Sequence, residues 1–139
     1  MTTELARGDK DIARQFYERA WNDADESVVD ELLAEDFYNH ELPDDNGQPH
    51  RERYKQAIRD TFTAFPDWKI DVYKIGDEGE NVLMRYRCWG THTGPGMGEP
   101  TGKRIEMEGA TTVRVANGKI HEFWKRDNSS EAWKKLRSE

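Results

Sequence analysis

Glu122 and Trp124 stand two residues apart in the segment Gly118-Lys119-Ile120-His121-Glu122-Phe123-Trp124. A carboxylate that shares a strand face with an indole can be made to hold its proton. Asn117-Gly118 is the strongest two-residue hairpin signal in the chain. With these two at the centre of a type I′ turn, Ala116 pairs with Lys119, Val113 with Glu122 and Thr111 with Trp124, which predicts Glu122 and Trp124 on the apolar face. A carboxylate desolvated there has its pKa raised and serves as general acid or base. The same residue could equally be an ion-pair partner of Arg114 or Arg126 at the rim. His40, in Asn39-His40-Glu41-Leu42-Pro43, is the foremost histidine, because an imidazole at a pocket mouth moves a proton near neutral pH. A loop histidine bonded to backbone is the plainer alternative. His40, His50, His92 and His121 lack the paired helical spacing or clustered cysteines of a zinc site, so no metal is expected. Cys88 sits in a strand pattern and reads as a small core residue rather than a nucleophile. Gly94-Pro95-Gly96-Met97-Gly98 is followed by another strand, not a helix, so it is no dinucleotide loop and no cofactor is expected.

These groups need a scaffold, and the apolar periods describe one. Ile12, Ala13, Phe16, Tyr17, Ala20 and Trp21 recur at helical spacing from Asp9 to Asn22. Ser27 with Asp30 resembles a capping box opening a short helix through Val28, Val29, Leu32 and Leu33. A third helix, from about Arg51 to Phe65, carries Tyr54, Ala57, Ile58, Thr61, Phe62 and Phe65 until Pro66 stops it. Between the second and third, Pro43-Asp44-Asp45-Asn46-Gly47 is turn chemistry. After Pro66 the period falls to two: Ile70 and Val72, then Val82, Met84, Tyr86 and Cys88, then Ile105, Met107, Thr111, Val113 and Val115. Three helices followed by a strand meander predict an α+β domain with one sheet face covered by helices. The boundaries are helices 9–65, sheet 68–128 and a tail 129–139 within one domain spanning 1–139.

Met84, Tyr86, Cys88, Met107 and Trp124 are expected to share the helix-covered face, with Tyr38 and Trp68 joining from connecting segments. Such a group lines an apolar pocket for a small apolar or aromatic molecule, or is simply core. On the other face Leu83, Trp89 and Phe123 fall at exposed parity and suit contact with a second copy. With 28 acidic against 21 basic residues the net charge is -7, which argues against a nucleic-acid partner. The single cysteine demands no oxidising compartment, no apolar run is long enough to span a membrane and the first ten residues are polar, so cytoplasmic placement is the expectation.

Gly90-Thr91-His92-Thr93-Gly94, Pro100-Thr101-Gly102-Lys103-Arg104 and Gly118-Lys119-Ile120-His121-Glu122-Phe123-Trp124, with Ala64-Phe65-Pro66-Asp67-Trp68 upstream, closely resemble the SnoaL-like polyketide cyclase and ester cyclase family. That family is a branch of the nuclear transport factor 2-like superfamily. The resemblance implies a cone in which three helices pack on a curved, mainly antiparallel sheet, and a homodimer through the convex surface. It also implies cofactor-free intramolecular aldol closure, with an acid on the final strand as general acid/base. Relatives carry an acid directly after the motif's Trp and another a few residues on; this chain has Lys125 and Arg126 there, and Asp127 is the nearest acid. His92 is the motif's best-matched histidine, although Gly90 and Gly94 around it favour a loop-tying role.

The leading expectation is therefore a cofactor-independent cyclase, isomerase or hydrolase working by acid–base catalysis on a small, largely apolar carbonyl compound. Glu122, His40 and Asp127 are its proton-transfer candidates. Tyr38, Trp68, Met84, Tyr86, Met107, Trp124 and His92 are its substrate-lining candidates. A noncatalytic binding module and a dimeric scaffold of the same fold are the alternatives.

Overall fold

The computed structural model describes residues 8–40, 49–79, 81–96 and 98–127. The chain order is α1 (Asp9–Asn22), α2 (Ser27–Leu32), β1 (Leu33–Asn39), α3 (His50–Ala64), β2 (Lys69–Glu78), β3 (Asn81–Thr91), β4 (Arg104–Ala116) and β5 (Lys119–Asp127). The strands form one sheet in the order β1-β5-β4-β3-β2, antiparallel except for the parallel β1/β5 pair. This is the expected α+β arrangement of three helices on a mainly antiparallel sheet. The expected turn at 43–47 and the tail 129–139 lie outside the described residues.

The helical stripes bury what their periods assign. Ile12, Ala13, Phe16, Tyr17 and Ala20 of α1, Val28, Val29 and Leu32 of α2, and Tyr54 and Ile58 of α3 pack with Val82, Met84, Val113, Val115 and Ile120 of the sheet in one core. Phe62 is only partly buried and Ala57 is exposed, so the stripe on α3 is narrower than its sequence suggests. The capping box on α2 does not form. Asp25, two residues before Ser27, accepts from both the backbone N–H and the hydroxyl of Ser27 instead.

The β4–β5 hairpin opens as expected and then departs from its expected register. Asn117 and Gly118 have φ of 55° and 75°, as a type I′ turn requires, and Ala116 faces Lys119. Val115 pairs with Ile120, but Arg114 pairs with Glu122, leaving His121 as an extra residue in a bulge. One inserted residue reverses the parity of everything after it. Phe123 is therefore opposite Val113 and buried at 7 % exposure, with its ring 6.4 Å from those of Tyr17 and Tyr54. Glu122 and Trp124, expected on the helix-covered face, lie on the outer one. Phe123, expected outside as a dimer contact, lies in the core; Leu83 stays exposed and Trp89 half-buried.

The two glycines around His92 are dictated by packing. A Cβ on Gly94 would stand 1.9 Å from the Thr63 carbonyl oxygen, and one on Gly90 would stand 2.8 Å from the Trp68 ring. Gly94 N–H bonds to Ala64 O at 3.0 Å, which ties the end of β3 to the end of α3.

Candidate functional site

The bulge assembles a cluster on the outer face where β5 meets β1. Tyr38 pairs with Glu122 and Asn39 with Phe123, while the His40 N–H donates to Phe123 O at 3.0 Å. Strand alternation then puts Tyr38 and His40 beside Glu122 and Trp124. His40 Nε2 lies 2.8 Å from Glu122 Oε1, and Arg114 Nε donates to Glu122 Oε2 at 2.6 Å. The His40 ring stacks on the Trp124 indole, centroids 4.7 Å apart and planes at 8°, with Tyr38 edge-on at 4.8 Å. The His50 ring stacks on Tyr38 at 4.6 Å, and His50 Nδ1 accepts the Asn39 N–H at 2.8 Å.

Of the two settings expected for Glu122, the ion pair with Arg114 is the one that forms, not the desolvated carboxyl. The Glu122 side chain is 28 % exposed, and hydrogen bonds from His40 and then Arg114 hold its carboxyl below the usual range, outweighing desolvation. At neutral pH it is a carboxylate and accepts the Nε2–H of His40. A neutral His40 then carries its bare lone pair on Nδ1, which has no hydrogen-bond partner among the described residues. A carboxylate that fixes the tautomer, and an imidazole that presents a basic nitrogen, can move protons.

A second polar assembly lies inside the cone. Trp21 Nε1–H donates to Tyr54 Oη at 2.9 Å, Tyr54 is hydrogen-bonded to Tyr17, Tyr17 Oη lies 3.3 Å from Thr111 Oγ1, and Thr111 Oγ1 donates to Trp124 O at 2.9 Å. Each hydroxyl has one proton, so the protons all point one way, from Trp21 toward the carbonyl of Trp124. Burial pushes the Tyr54 phenol well above its ordinary value, so it stays neutral.

The remaining candidates are spread apart. Trp68, Met84, Tyr86 and Met107 are buried at 7 % exposure or less in the helix-covered core. His92 is fully buried, its Nε2 bonded to Gly96 O at 2.9 Å and its Nδ1 receiving the Thr101 N–H at 3.3 Å, so it ties the β3–β4 loop. The backbone of Asp127 pairs with Gly109; its side chain lies outside the described residues. An open groove of about 680 Å³, edged by Asp30, Asp36, Arg51, Lys119 and His121, contains none of the candidates. No group of histidine, cysteine and acidic residues among the described residues could hold a metal, and no helix among them is long and apolar enough to cross a membrane. Sequence reasoning missed Tyr17, Tyr54 and His50. The two tyrosines sit in apolar stripes, where nothing in the spacing marks converging hydroxyls.

Residues 11–136 match the family model for SnoaL-like polyketide cyclases. The chain belongs to that family. Similar solved members and neighbours include IdmH of Streptomyces antibioticus, provisionally described as a polyketide cyclase. It is 28 % identical, with TM-score 0.74, covering 94 % of this chain and 100 % of that one. AclR of Streptomyces galilaeus, provisionally described as a hydroxylase, is 26 % identical, with TM-score 0.70 and coverage of 91 % and 81 %. A protein of Bacillus cereus, also provisionally described as a polyketide cyclase, shares the fold at 23 % identity, TM-score 0.75 and coverage of 91 % and 78 %. No protein of curated function matches the sequence. The outer His40 cluster and the inner tyrosine chain are thus two parts of a SnoaL-like cone.

Proposed function

We propose that this SnoaL-like protein is a cofactor-independent enzyme of the cyclase, isomerase or hydrolase type that moves protons on a small, largely apolar carbonyl compound. His40 is the proton-transferring group and Glu122 the residue that positions it. The observation that carries this reading is the 2.8 Å contact of His40 Nε2 with a carboxylate already committed to Arg114. Glu122 is bound on both oxygens and kept ionised, so it serves the reaction better as an orienting partner than as the acid. Trp124 and Tyr38 flank the imidazole and supply the flat apolar contacts that a carbonyl substrate needs. Cyclase and hydroxylase descriptions of IdmH and AclR support small-molecule chemistry on this scaffold.

The test is exchange of α-protons into D2O for a panel of aryl ketones headed by 2-tetralone, followed by proton NMR. The wild-type protein should accelerate exchange over buffer, and His40→Gln should lose about 100-fold or more of that acceleration with its melting temperature kept. Glu122→Gln should fall between the two, since the imidazole remains but its tautomer is no longer fixed. No acceleration by the wild type, or full activity in His40→Gln, would sink the assignment.

A further inference from the structure

Across the outer sheet face, registered residues form rows. The row that crosses Leu83 and Thr112 ends on Trp124, and the next row crosses Lys74, Arg85 and Ala110 and ends, by backbone register, at Arg126. Adjacent rows on one face are about 7 Å apart, and β3 and β5 are about 10 Å apart across β4. The β4 positions between them, Ala110 and Thr112, are short and half-buried, while Leu83 on one side is 40 % exposed and Trp124 on the other is half-buried. His40 covers one face of the Trp124 indole, and no other ring contact to that indole is made among the described residues. Register and side-chain length thus outline a shallow trough, with Ala110 and Thr112 as its floor and Leu83 and Trp124 at one end.

Its other end is cationic. Lys74 and Arg85 are exposed cross-strand partners of like charge, and neither has a hydrogen bond or ion pair among the described residues. Like charges directly opposed cost stability. The flanking rows balance their own cations: Arg87 faces Glu108 at 3.8 Å and Arg114 holds Glu122 at 2.6 Å. Among the described residues Lys74 and Arg85 thus have no counter-charge, in a chain of net charge -7. We infer that the trough binds a flat aromatic carboxylate, its rings between Leu83 and Trp124 and its carboxylate on Lys74 and Arg85. The spacing of the two rows matches the separation of ring and carboxylate in such a molecule. This site shares Trp124 with the proton-transfer reading but anchors its carboxylate on the Lys74–Arg85 row, which that reading does not use.

Calorimetry with 2-naphthoate and, as the neutral probe, 2-naphthalenemethanol tests the inference. Wild-type protein should bind the carboxylate about tenfold tighter than the alcohol, and salt should erode that preference. The double variant Lys74→Gln/Arg85→Gln should lose the preference while keeping alcohol binding and α-proton exchange. Ala110→Leu, which raises the floor without altering charge, should weaken both probes. Equal affinity for the two probes, or an unchanged preference in the double variant, overturns the inference. So does a dimer that the double variant dissociates while neither form binds naphthoate, since the face would then be an interface between copies.

Discussion

The outer cluster around His40 and the inner chain through Tyr54 are built from similar parts and are opposite in character. Outside, charged groups are paired yet reachable: His40 is 37 % and Arg114 32 % exposed, and the carboxylate between them is held ionised. Inside, neutral groups are sealed, and burial keeps the Tyr54 phenol protonated. In the outer cluster His40 Nδ1 has no hydrogen-bond partner among the described residues, whereas in the inner chain every hydroxyl proton is already spent on a neighbour. Under the proposed reading, polar groups of the first kind serve a reaction, while those of the second hold the cone's shape. The two assemblies meet at Trp124, whose carbonyl ends the inner chain and whose ring supports His40.

The largest effect that would break this division is loss of the bulge. Deleting His121 restores the simple register, which turns Phe123 outward and Glu122 into the core. The lost aromatic burial alone costs about 3–5 kcal/mol and an unpaired buried carboxylate a similar amount, together comparable with the whole stability of a small domain. The expected outcome by circular dichroism is no cooperative thermal transition. A deletion variant that melts like wild type would mean the parity of β5 is not set by the bulge.

Next in size is the inner chain. Tyr54→Phe leaves the Trp21 N–H and the Tyr17 hydroxyl short of a partner, and should cost about 1–3 kcal/mol in urea unfolding. Because Tyr17 and Tyr54 share the chain, Tyr17→Phe/Tyr54→Phe should cost less than the two single changes added together. His40→Gln, by contrast, should stay within about 0.5 kcal/mol of wild type. If His40→Gln destabilises more than Tyr54→Phe, the outer cluster is structural and the contrast collapses.

Much of the fold was legible in the sequence because burial enforces period. The stripe Ile12, Phe16, Ala20 could face only inward on a helix, and Val82, Met84, Tyr86 only inward on a strand. Asn117-Gly118 announced its turn because only residues that accept positive φ suit that geometry. The bulge three residues later carried no such mark. His121 is held by Ala116 O at 3.1 Å across the turn and sits 3.6 Å from Asp36 on β1, and the second contact is one that no local spacing reveals. That one residue moved Glu122 and Trp124 to the other face, so the desolvated setting expected for Glu122 gave way to its alternative, the ion pair with Arg114. The meeting of His40 with Glu122 depends on β1 running parallel to β5, a pairing between segments some eighty residues apart in the chain. Tyr17 and Tyr54 were read as stripe members, since a phenol in an apolar period looks like core until its partner is known.

The smallest effect is also the one that separates the two surroundings for Glu122. Its carboxyl titrates below the ordinary glutamate value in the folded protein because His40 and Arg114 hydrogen-bond its charged form. A group depressed on folding contributes stability that is present above the unfolded pKa, about 4.3, and is lost as pH falls through the folded value. Wild type should therefore exceed Glu122→Gln in stability by a small constant margin from neutral pH down to about pH 5, then lose that margin on further acidification. For a pair this exposed the margin should be no more than about 1 kcal/mol and should shrink with added salt. A desolvated carboxyl, as the unbulged register places it, behaves in reverse: its pKa is raised, so wild type gains on Glu122→Gln as the solution is acidified. Urea unfolding of both proteins across pH 3.5 to 7 reads the sign directly, and a margin that grows on acidification would return Glu122 to an apolar setting and restore it as the proton donor.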